Sequence, residues 1–246
     1  MKLNYLTVVL LLIIVITSCG KDKDSTSPPI TKANIIGTVN LYDEGKIQID
    51  KSAMTVKVVG ITSVISATTD VDGRFTLIDV PFGTYTLTYE KSGFGTFKKF
   101  GLEHSNNGST AIIINAPSLG QSSSTQVTNL IVSLIGKDVV VSITTNPAGS
   151  NGSTRYIRYF LSTSTNVSAE NYTYFSPGLV SQINPKEVTL TSANLSKAGF
   201  LSGQTIYVKV YGDSFWSNEY DDLNLGRKVF PNLNTAPTNS VSFVMQ

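Results

Sequence analysis

The chain has 246 residues, with 19 Lys and Arg against 17 Asp and Glu, so its formal net charge is +2, and only 15% of its residues are charged. This near-neutral balance excludes a strongly basic nucleic-acid-binding protein, and the low charge content excludes a coiled coil or a charge-driven disordered chain. One Cys and one His are too few for a disulfide framework or for a zinc site made within the chain.

The chain begins with a targeting pattern. Met1 and Lys2 form a weakly positive start, and Leu6–Ile16 follows as an apolar run interrupted only by Thr7. A helix of about eleven residues rises roughly 16 Å, about half the thickness of the hydrocarbon core of a bilayer. The run is therefore too short to span a membrane and is typical of the core of a signal peptide.

The residues Ile16–Gly20 read Ile-Thr-Ser-Cys-Gly, which places an aliphatic residue and two small residues before the cysteine. This pattern resembles the lipobox of bacterial lipoproteins. The resemblance implies a lipoprotein signal peptide at residues 1–18 and a lipid on Cys19, which becomes the first residue after cleavage. We expect the attached acyl chains to anchor the protein stably to a membrane.

A polar stretch follows the cysteine. Residues 20–29 are rich in Lys, Asp, Ser and Pro, so they cannot bury apolar surface, and we predict a flexible tether over residues 19–32. The charged residues directly after Cys19 resemble the export tags of lipoproteins that are displayed on the outer face of the outer membrane. The resemblance implies an outer-membrane protein that faces the cell exterior, with the periplasmic face as the alternative.

Short apolar-alternating segments, separated by Gly, Asn, Asp and Pro, fill the rest of the chain, and no helical period is evident. This pattern predicts an all-β protein built of antiparallel β-sandwiches. The length allows two cores of ordinary size, and we place two domains in tandem at residues 33–117 and 122–246. The Gly- and Ser-rich residues 119–125 predict a hinge between them, unless an apolar interface holds the domains together.

The first domain shows the period of two that a half-buried strand needs. In Thr84–Glu90, for example, Tyr85, Leu87 and Tyr89 share one face. The dipeptide Asp72-Gly73 predicts a tight turn with a positive φ. The predicted strands are Ile35–Leu41, Met54–Gly60, Val64–Thr68, Arg74–Ile78, Thr84–Glu90, Thr96–Phe100 and Thr110–Asn115.

Four segments of this domain, Gly37–Val39, Thr69–Leu77, Val80–Leu87 and Lys91–Phe94, have the order and spacing found in the carboxypeptidase regulatory-like family, which they resemble. The resemblance covers most of the first domain. It implies a transthyretin-like sandwich that serves as a non-catalytic folding or docking module. Because some starch-binding domains share this fold, carbohydrate binding follows by analogy only.

The second domain continues the alternation. In Arg155–Ser162 the period of two places Arg158 and Phe160 on the face opposite to Ile157 and Leu161. The predicted strands are Gln126–Ile135, Asp138–Thr144, Arg155–Ser162, Glu187–Leu190, Thr205–Gly212 and Asn239–Val244.

Two segments of this second domain resemble strands of fibronectin type III-like domains. Tyr156–Ser164 is similar to the third strand of that family, and Leu201–Tyr211 is similar to its penultimate strand. The resemblance implies a second sandwich whose binding loops lie at one end.

The residue types of catalytic and metal sites occur here in contexts typical of turns. His104, the single His, lies in the polar stretch Glu103–Ser109, which predicts an exposed turn rather than a base beside an activated Ser. Asp70 and Asp72 predict a hairpin turn, because a calcium loop would need a longer set of carboxylates. We therefore predict no enzyme activity, catalytic residue, cofactor or metal site.

The connection at residues 212–232, between the last two predicted strands, is the strongest candidate for a functional site. A hairpin there would need about two to five residues, and long connections in compact domains are often functional. It holds the only Trp in the chain. We predict a ligand-binding site for a sugar or a peptide, with stacking rings and flanking polar groups. The candidate residues are Phe215, Trp216, Asn218, Tyr220, Asp221, Asp222 and Asn224.

Two alternatives remain open for this connection. Asn218, Asp221, Asp222 and Asn224 would bond sugar hydroxyls or hold a calcium ion. In the other interpretation, the rings at 215 and 216 plug the end of the sandwich or cover the domain junction.

These expectations define a non-enzymatic, lipid-anchored envelope protein that acts as a surface binding or adhesion module. Its partners would be a membrane, through the lipid on Cys19, and an unidentified protein or surface glycan, but no nucleic acid. The alternative is a carbohydrate-binding accessory lipoprotein of a polysaccharide-uptake system. A shallow aromatic face around Trp216 would favour the carbohydrate alternative, whereas a buried Trp216 with an open sheet edge would favour a protein partner held by strand addition.

Overall fold

This computed structural model describes residues 30–106, 110–236 and 238–246. Alternation of apolar and polar residues produces strands along most of this part of the chain. The apolar run, Cys19 and the tether as far as Pro29 lie outside the described residues, so the predictions made for them stay predictions. Residues Thr31–Gln246 form one compact unit. None of the helices in the described part of the chain is long and apolar enough to cross a membrane.

The described residues before Gln121 build the first sandwich. Its strands are β1 Lys32–Thr38, β2 Asn40–Tyr42, β3 Thr55–Val59, β4 Ser66–Thr68, β5 Arg74–Pro81, β6 Gly83–Glu90, β7 Phe97–His104, β8 Ala111–Ile112 and β9 Ser118–Gly120. The two main sheets have the strand orders β5-β1-β8 and β4-β3-β6-β7, and a short parallel pair joins β2 to β9.

The core of the first sandwich lies between these two sheets, because each strand turns its apolar positions inward. β3 shows the pattern clearly, since Val56 and Val58 are buried while the intervening Lys57 is not. The fully buried side chains of this core include Ile35, Leu41, Met54, Leu77, Leu87 and Tyr89.

The residues from Gln126 onward build the second sandwich. The strands are β10 Gln126–Ile135, β11 Asp138–Asn146, β12 Arg155–Ser162, β13 Tyr174–Phe175, β14 Leu179–Ser181, β15 Lys186–Leu190, β16 Thr205–Asp213, β17 Tyr220–Asp222, β18 Arg227–Val229 and β19 Val241–Val244. One sheet has the order β10-β11-β15, and the other has the order β13-β12-β16-β19 with β14 also paired to β12.

Both faces of the β12–β16 pair are covered. The inner face packs against the opposite sheet, with Ile143, Ile157 and Val210 fully buried. On the outer face, Phe160 is also fully buried and belongs to a separate cluster with Phe230. The second sandwich therefore carries an additional layer, which is supplied by its loops.

The all-β prediction is confirmed, and each predicted strand segment contains a strand. The structure adds elements that the pattern did not reveal. A short helix, α1 Ser192–Lys197, begins after the N-cap Thr191 and buries only Leu195. Six residues are too few to show a helical period in the sequence. The hairpin of β17 and β18 lies inside the connection that was predicted as an irregular loop.

One expectation about burial was wrong. His104 was predicted in an exposed turn, but it ends β7 and is only 2% exposed. Its Nε2 lies 3.2 Å from the carbonyl oxygen of Ala33 and 3.1 Å from that of Val80. The strand continues further than the sequence indicated, because the imidazole bridges two carbonyls at the edge of the β1–β5 pair.

Candidate functional site at the junction of the two sandwiches

The connection at residues 212–232, called here the junction segment, lies between the two sandwiches. Its first part bonds to the first sandwich, where the backbone N–H of Phe215 donates to the carbonyl of Glu44 at 2.8 Å. Its hairpin packs against β7, where Tyr220 contacts the rings of Phe97 and Phe100 with centroids 6.0 and 6.2 Å away. The segment therefore belongs to both sandwiches.

Two buried asparagines hold the centre of this junction. Asn218 accepts a hydrogen bond from the backbone N–H of Gly120 at 2.8 Å and donates to the carbonyls of Gly120 and Gly95 at 3.0 and 3.2 Å. Asn232 accepts from the N–H of Gly95 at 2.9 Å and donates to the carbonyls of Gly120 and Trp216 at 2.9 and 2.8 Å. Asn218 also donates to the side-chain oxygen of Asn232 at 2.9 Å.

The two glycines are needed because the chains approach each other closely there. A Cβ at Gly95 would lie 2.3 Å from the carbonyl oxygen of Pro231, and one at Gly120 would lie 2.5 Å from that of Trp216. Real Cβ atoms do not come so close to a backbone oxygen, so any larger residue would push the sandwiches apart. The glycines of the first sandwich and the asparagines of the second are therefore complementary.

The residues expected to be a hinge take part in the same network. Ser122 donates from its backbone to the carbonyl of Gly93 at 2.8 Å, and Ser123 donates to that of Asn232 at 2.8 Å. Thr125 is only 1% exposed, and Leu119 belongs to the core of the first sandwich. These bonds remove the freedom that the Gly- and Ser-rich composition suggested.

A buried ion pair anchors the start of the junction segment to β12. The Arg158 guanidinium donates from Nε to Asp213 at 2.8 Å, from Nη2 to Glu219 at 2.8 Å and from Nη1 to the carbonyl of Ser176 at 2.9 Å. It also lies over the Phe230 ring, 4.7 Å from its centroid. Burial raises the pKa of Asp213 above its ordinary value, and the guanidinium opposes that shift.

An aromatic row crosses the junction. Tyr156 contacts Phe215, with ring centroids 5.6 Å apart, and Phe215 meets Trp216 edge-on at 5.2 Å. Trp216 in turn stacks on Tyr42 of the first sandwich at 5.0 Å, and Lys46 covers Phe215 at 4.5 Å. The Trp216 Nε1 atom is buried without a hydrogen-bond partner in the described structure, whereas Phe215 is 40% exposed.

The polar candidates have separate environments. Asp222 is buried and accepts from Lys98 Nζ of β7 at 3.2 Å. Desolvation works against ionisation of Asp222, but the bond from Lys98 and the backbone N–H groups of Asn224 and Leu225 outweigh it, so its pKa lies below the ordinary value. Asp221 is exposed and pairs with Lys228 at 3.3 Å.

The structure therefore does not gather all seven candidates around one space. Asn218 and Asp222 use their polar groups inside the protein, and Trp216 and Tyr220 pack against rings of the first sandwich. The exposed candidates are Phe215, Asp221 and Asn224, which lie at different places along the segment. Whether any of the seven binds a ligand stays a prediction.

A shallow cleft of about 260 Å³ lies beside Trp216 and is lined by Phe97, Leu119, Phe215 and Glu219, among other residues. This volume is close to the lower limit of about 300 Å³ for small-molecule pockets. The described residues hold no group of three or more His, Cys, Asp and Glu side chains placed to bind a metal ion.

Several residues of the junction were not singled out from the sequence. Arg158 had a usable signal, because a charge in the middle of an apolar strand usually needs a buried partner. Asn232 and Gly95 gave no such signal, since both types are common in surface turns. Their role depends on contacts between residues far apart in the chain.

No protein-family model and no curated protein matches the chain. A proposed carbohydrate-binding protein from Bacteroides uniformis is 14% identical, with a TM-score of 0.32, and the match covers 88% of this chain and 100% of that one. A DUF3823 family protein from Bacteroides ovatus is 14% identical, with a TM-score of 0.31 and coverages of 87% and 100%. The major pilin SpaD from Corynebacterium diphtheriae is 12% identical, with a TM-score of 0.29 and coverages of 87% and 67%. These scores are too low to carry an argument about function.

We expect Asn232→Ala to uncouple the two sandwiches. The change removes the hydrogen bonds of Asn232 to the backbone N–H of Gly95 and to the carbonyl of Trp216, and it leaves the Gly120 carbonyl with Asn218 alone. Each buried group that loses its partner costs about 1–3 kcal/mol. Calorimetry should show one unfolding transition for the wild type and two, with the lower one shifted down, for the variant. The exposed Asn224→Ala serves as the control, with a change of less than about 0.5 kcal/mol. A single unshifted transition in Asn232→Ala would show that the network does not couple the sandwiches.

We expect Arg158→Ala to lower the free energy of unfolding by about 3–5 kcal/mol at neutral pH, because Asp213 remains buried without its cation. Burial already holds the folded-state pKa of Asp213 above its ordinary value, and loss of the opposing guanidinium raises that pKa further, so the variant loses more stability than the wild type as pH rises through that range. The difference from the wild type in urea titrations should therefore shrink as the pH is lowered. Arg74→Ala, whose side chain is 68% exposed, is the matched control. A loss no larger than that of the control would contradict the role given to the ion pair.

Proposed function

We propose that the chain is a non-enzymatic protein, anchored by a lipid on Cys19 to the outer membrane and facing the cell exterior, where it acts as a binding or adhesion module. The observation that carries the proposal is the bonded junction, in which Asn218 and Asn232 join the two sandwiches without a free hinge. A body of this kind presents its surfaces in a fixed arrangement, which lowers the ordering cost of holding a partner.

The polar side chains that suggest chemistry make contacts inside the fold rather than with one another in a catalytic arrangement, which supports a non-catalytic role. His104 faces two backbone carbonyls rather than a hydroxyl and an acid. The buried Arg158 is bonded to the buried Asp213, to the half-buried Glu219 and to the backbone carbonyl of Ser176. A general base or nucleophile needs an open position next to a reacting atom.

Two finer assignments belong to this proposal. The first sandwich would be a carboxypeptidase regulatory-like module, supported by the turn in which Asp70 Oδ1 accepts from the backbone N–H groups of Asp72 and Arg74. The second would be a fibronectin type III-like module, supported by its two packed antiparallel sheets. In both families the sandwich is a scaffold, and function resides in its surface.

The second candidate function is carbohydrate binding, as an accessory of polysaccharide uptake. One observation favours it, namely the cleft beside Trp216, with Phe215 40% exposed at its edge. Aromatic faces with nearby polar groups suit sugar rings. Stacking on Tyr42 leaves less of the Trp216 face for a sugar, so we place this candidate second.

The adhesion proposal is tested on the cells that produce the chain. An antibody against the folded part should stain intact cells, and protease treatment of intact cells should remove the signal. Cys19→Ala should lose lipid labelling and release the chain from the membrane fraction. Cells lacking the chain should attach less to protein- or polymer-coated surfaces, and the wild type should restore attachment where Cys19→Ala does not. Staining that requires permeabilised cells, or attachment that never changes, would contradict the proposal.

The carbohydrate candidate is tested by fluorescence of Trp216, the only Trp in the chain. Because Trp216 is partly covered by Tyr42, we expect an emission that polysaccharides do not change, whether or not calcium is added. A saturable shift with one glycan, abolished by Phe215→Ala while thermal unfolding stays unchanged, would instead establish the cleft as a sugar site.

A further inference from the structure

Strand β10 presents an open edge. It pairs with β11 from Gln126 to Ile135, and within the described residues no strand pairs with its other side. Only its beginning is covered, where the Thr238 hydroxyl donates to the carbonyl of Val127 at 2.8 Å. A register shift follows between Val127 and Asn129. The open edge therefore consists of Asn129–Ile135.

The other long edge strands of the two sandwiches carry the devices that discourage pairing with another chain, which are charges, proline or a covering element. β5 contains Arg74, Asp79 and Pro81, and β15 begins with Lys186 and Glu187. β7 contains lysines and a glutamate and is partly covered by β17. The remaining edge strands, which are β2, β4, β8, β9, β13, β14, β17, β18 and β19, have two to four residues.

β10 has none of these devices along its open edge. Its sequence, QVTNLIVSLI, holds no charged residue and no proline in ten residues. Ile131 is 54% exposed, Leu134 is 54% exposed and Ile135 is 65% exposed. Such an edge favours strand addition, because its backbone groups and apolar side chains gain partners at the same time.

We propose that a second copy of this chain occupies the edge, so that two β10 strands pair antiparallel about a two-fold axis. An antiparallel strand meets its own sequence, and the lack of charge removes the like-charge repulsion that usually prevents self-pairing. In a register centred on Ser133, Ile131 of one copy lies opposite Ile135 of the other, and the two Ser133 hydroxyls face each other. Exposed residues 129, 131, 133 and 135 share one face of the strand, so the apolar pairs form on the same side.

The pairing joins two three-stranded sheets into one continuous six-stranded sheet. It leaves the junction segment unchanged, because β10 pairs only with β11 and contributes no group to the asparagine network. Dimerisation is therefore independent of the proposed adhesion function, and either can fail without the other.

The test is the mass in solution of residues Ser25–Gln246, which include the whole compact unit and lack Cys19. Sedimentation equilibrium from low to high micromolar concentration should show a monomer–dimer equilibrium. Ile131→Lys should weaken the dimer at least about tenfold, because it replaces each of the two Ile131–Ile135 apolar pairs of the proposed register with a charged lysine beside an isoleucine. Ile78→Lys is the matched control, since Ile78 is 65% exposed on the charged edge strand β5. It should leave the dimer intact, and thermal unfolding should show both variants folded.

A cysteine placed at the axis reports the register. Because residues 25–246 contain no other Cys, Ser133→Cys should form an intermolecular disulfide under mild oxidation, whereas Thr128→Cys should not. A monomer at every concentration would overturn the proposal. An extended segment of a different protein would then be the favoured partner of the β10 edge. A dimer that is unaffected by Ile131→Lys would also overturn it.

Discussion

The close approach of the junction segment to two glycines is the constraint on which the arrangement of the molecule depends. Gly95 and Gly120 leave no room for a Cβ, and the amides of Asn218 and Asn232 satisfy the backbone groups that this approach buries. Without those amides the contact would bury unpaired donors and acceptors, and the free-energy penalty of their desolvation would oppose the contact. A polar linker joins the two sandwiches, and these hydrogen bonds hold them together as one compact body.

The ion pair of Arg158 with Asp213 holds the start of the same segment to β12. It fixes the end of β16, where the junction segment begins, and its second carboxylate partner, Glu219, lies next to Asn218 in the chain. Moving these charges from water into the protein costs free energy, so the pair orients the junction segment more than it adds net stability. The Phe230 ring beneath the guanidinium extends the same layer over the outer face of β12.

The junction segment and the edge of β10 differ in whether their groups have partners within the described structure. The junction uses aromatic and amide groups for internal contacts, and ligand binding by this segment stays a prediction. The edge of β10, in contrast, is uncharged and unpaired in the described structure. The feature that points to a partner is thus a backbone edge, whose importance depends on what the neighbouring edges carry.

The sequence by itself determined the all-β class and the position of almost every long strand, because the period of two is a local property of residues such as Val56 and Val58. The tertiary structure alone decided the role of residues 212–232, since the partners of Asn218 lie about a hundred positions earlier in the chain. It also decided that His104 is buried and that α1 forms. Local periodicity identifies which face of a strand is apolar, but it cannot show which distant backbone groups a buried amide will satisfy.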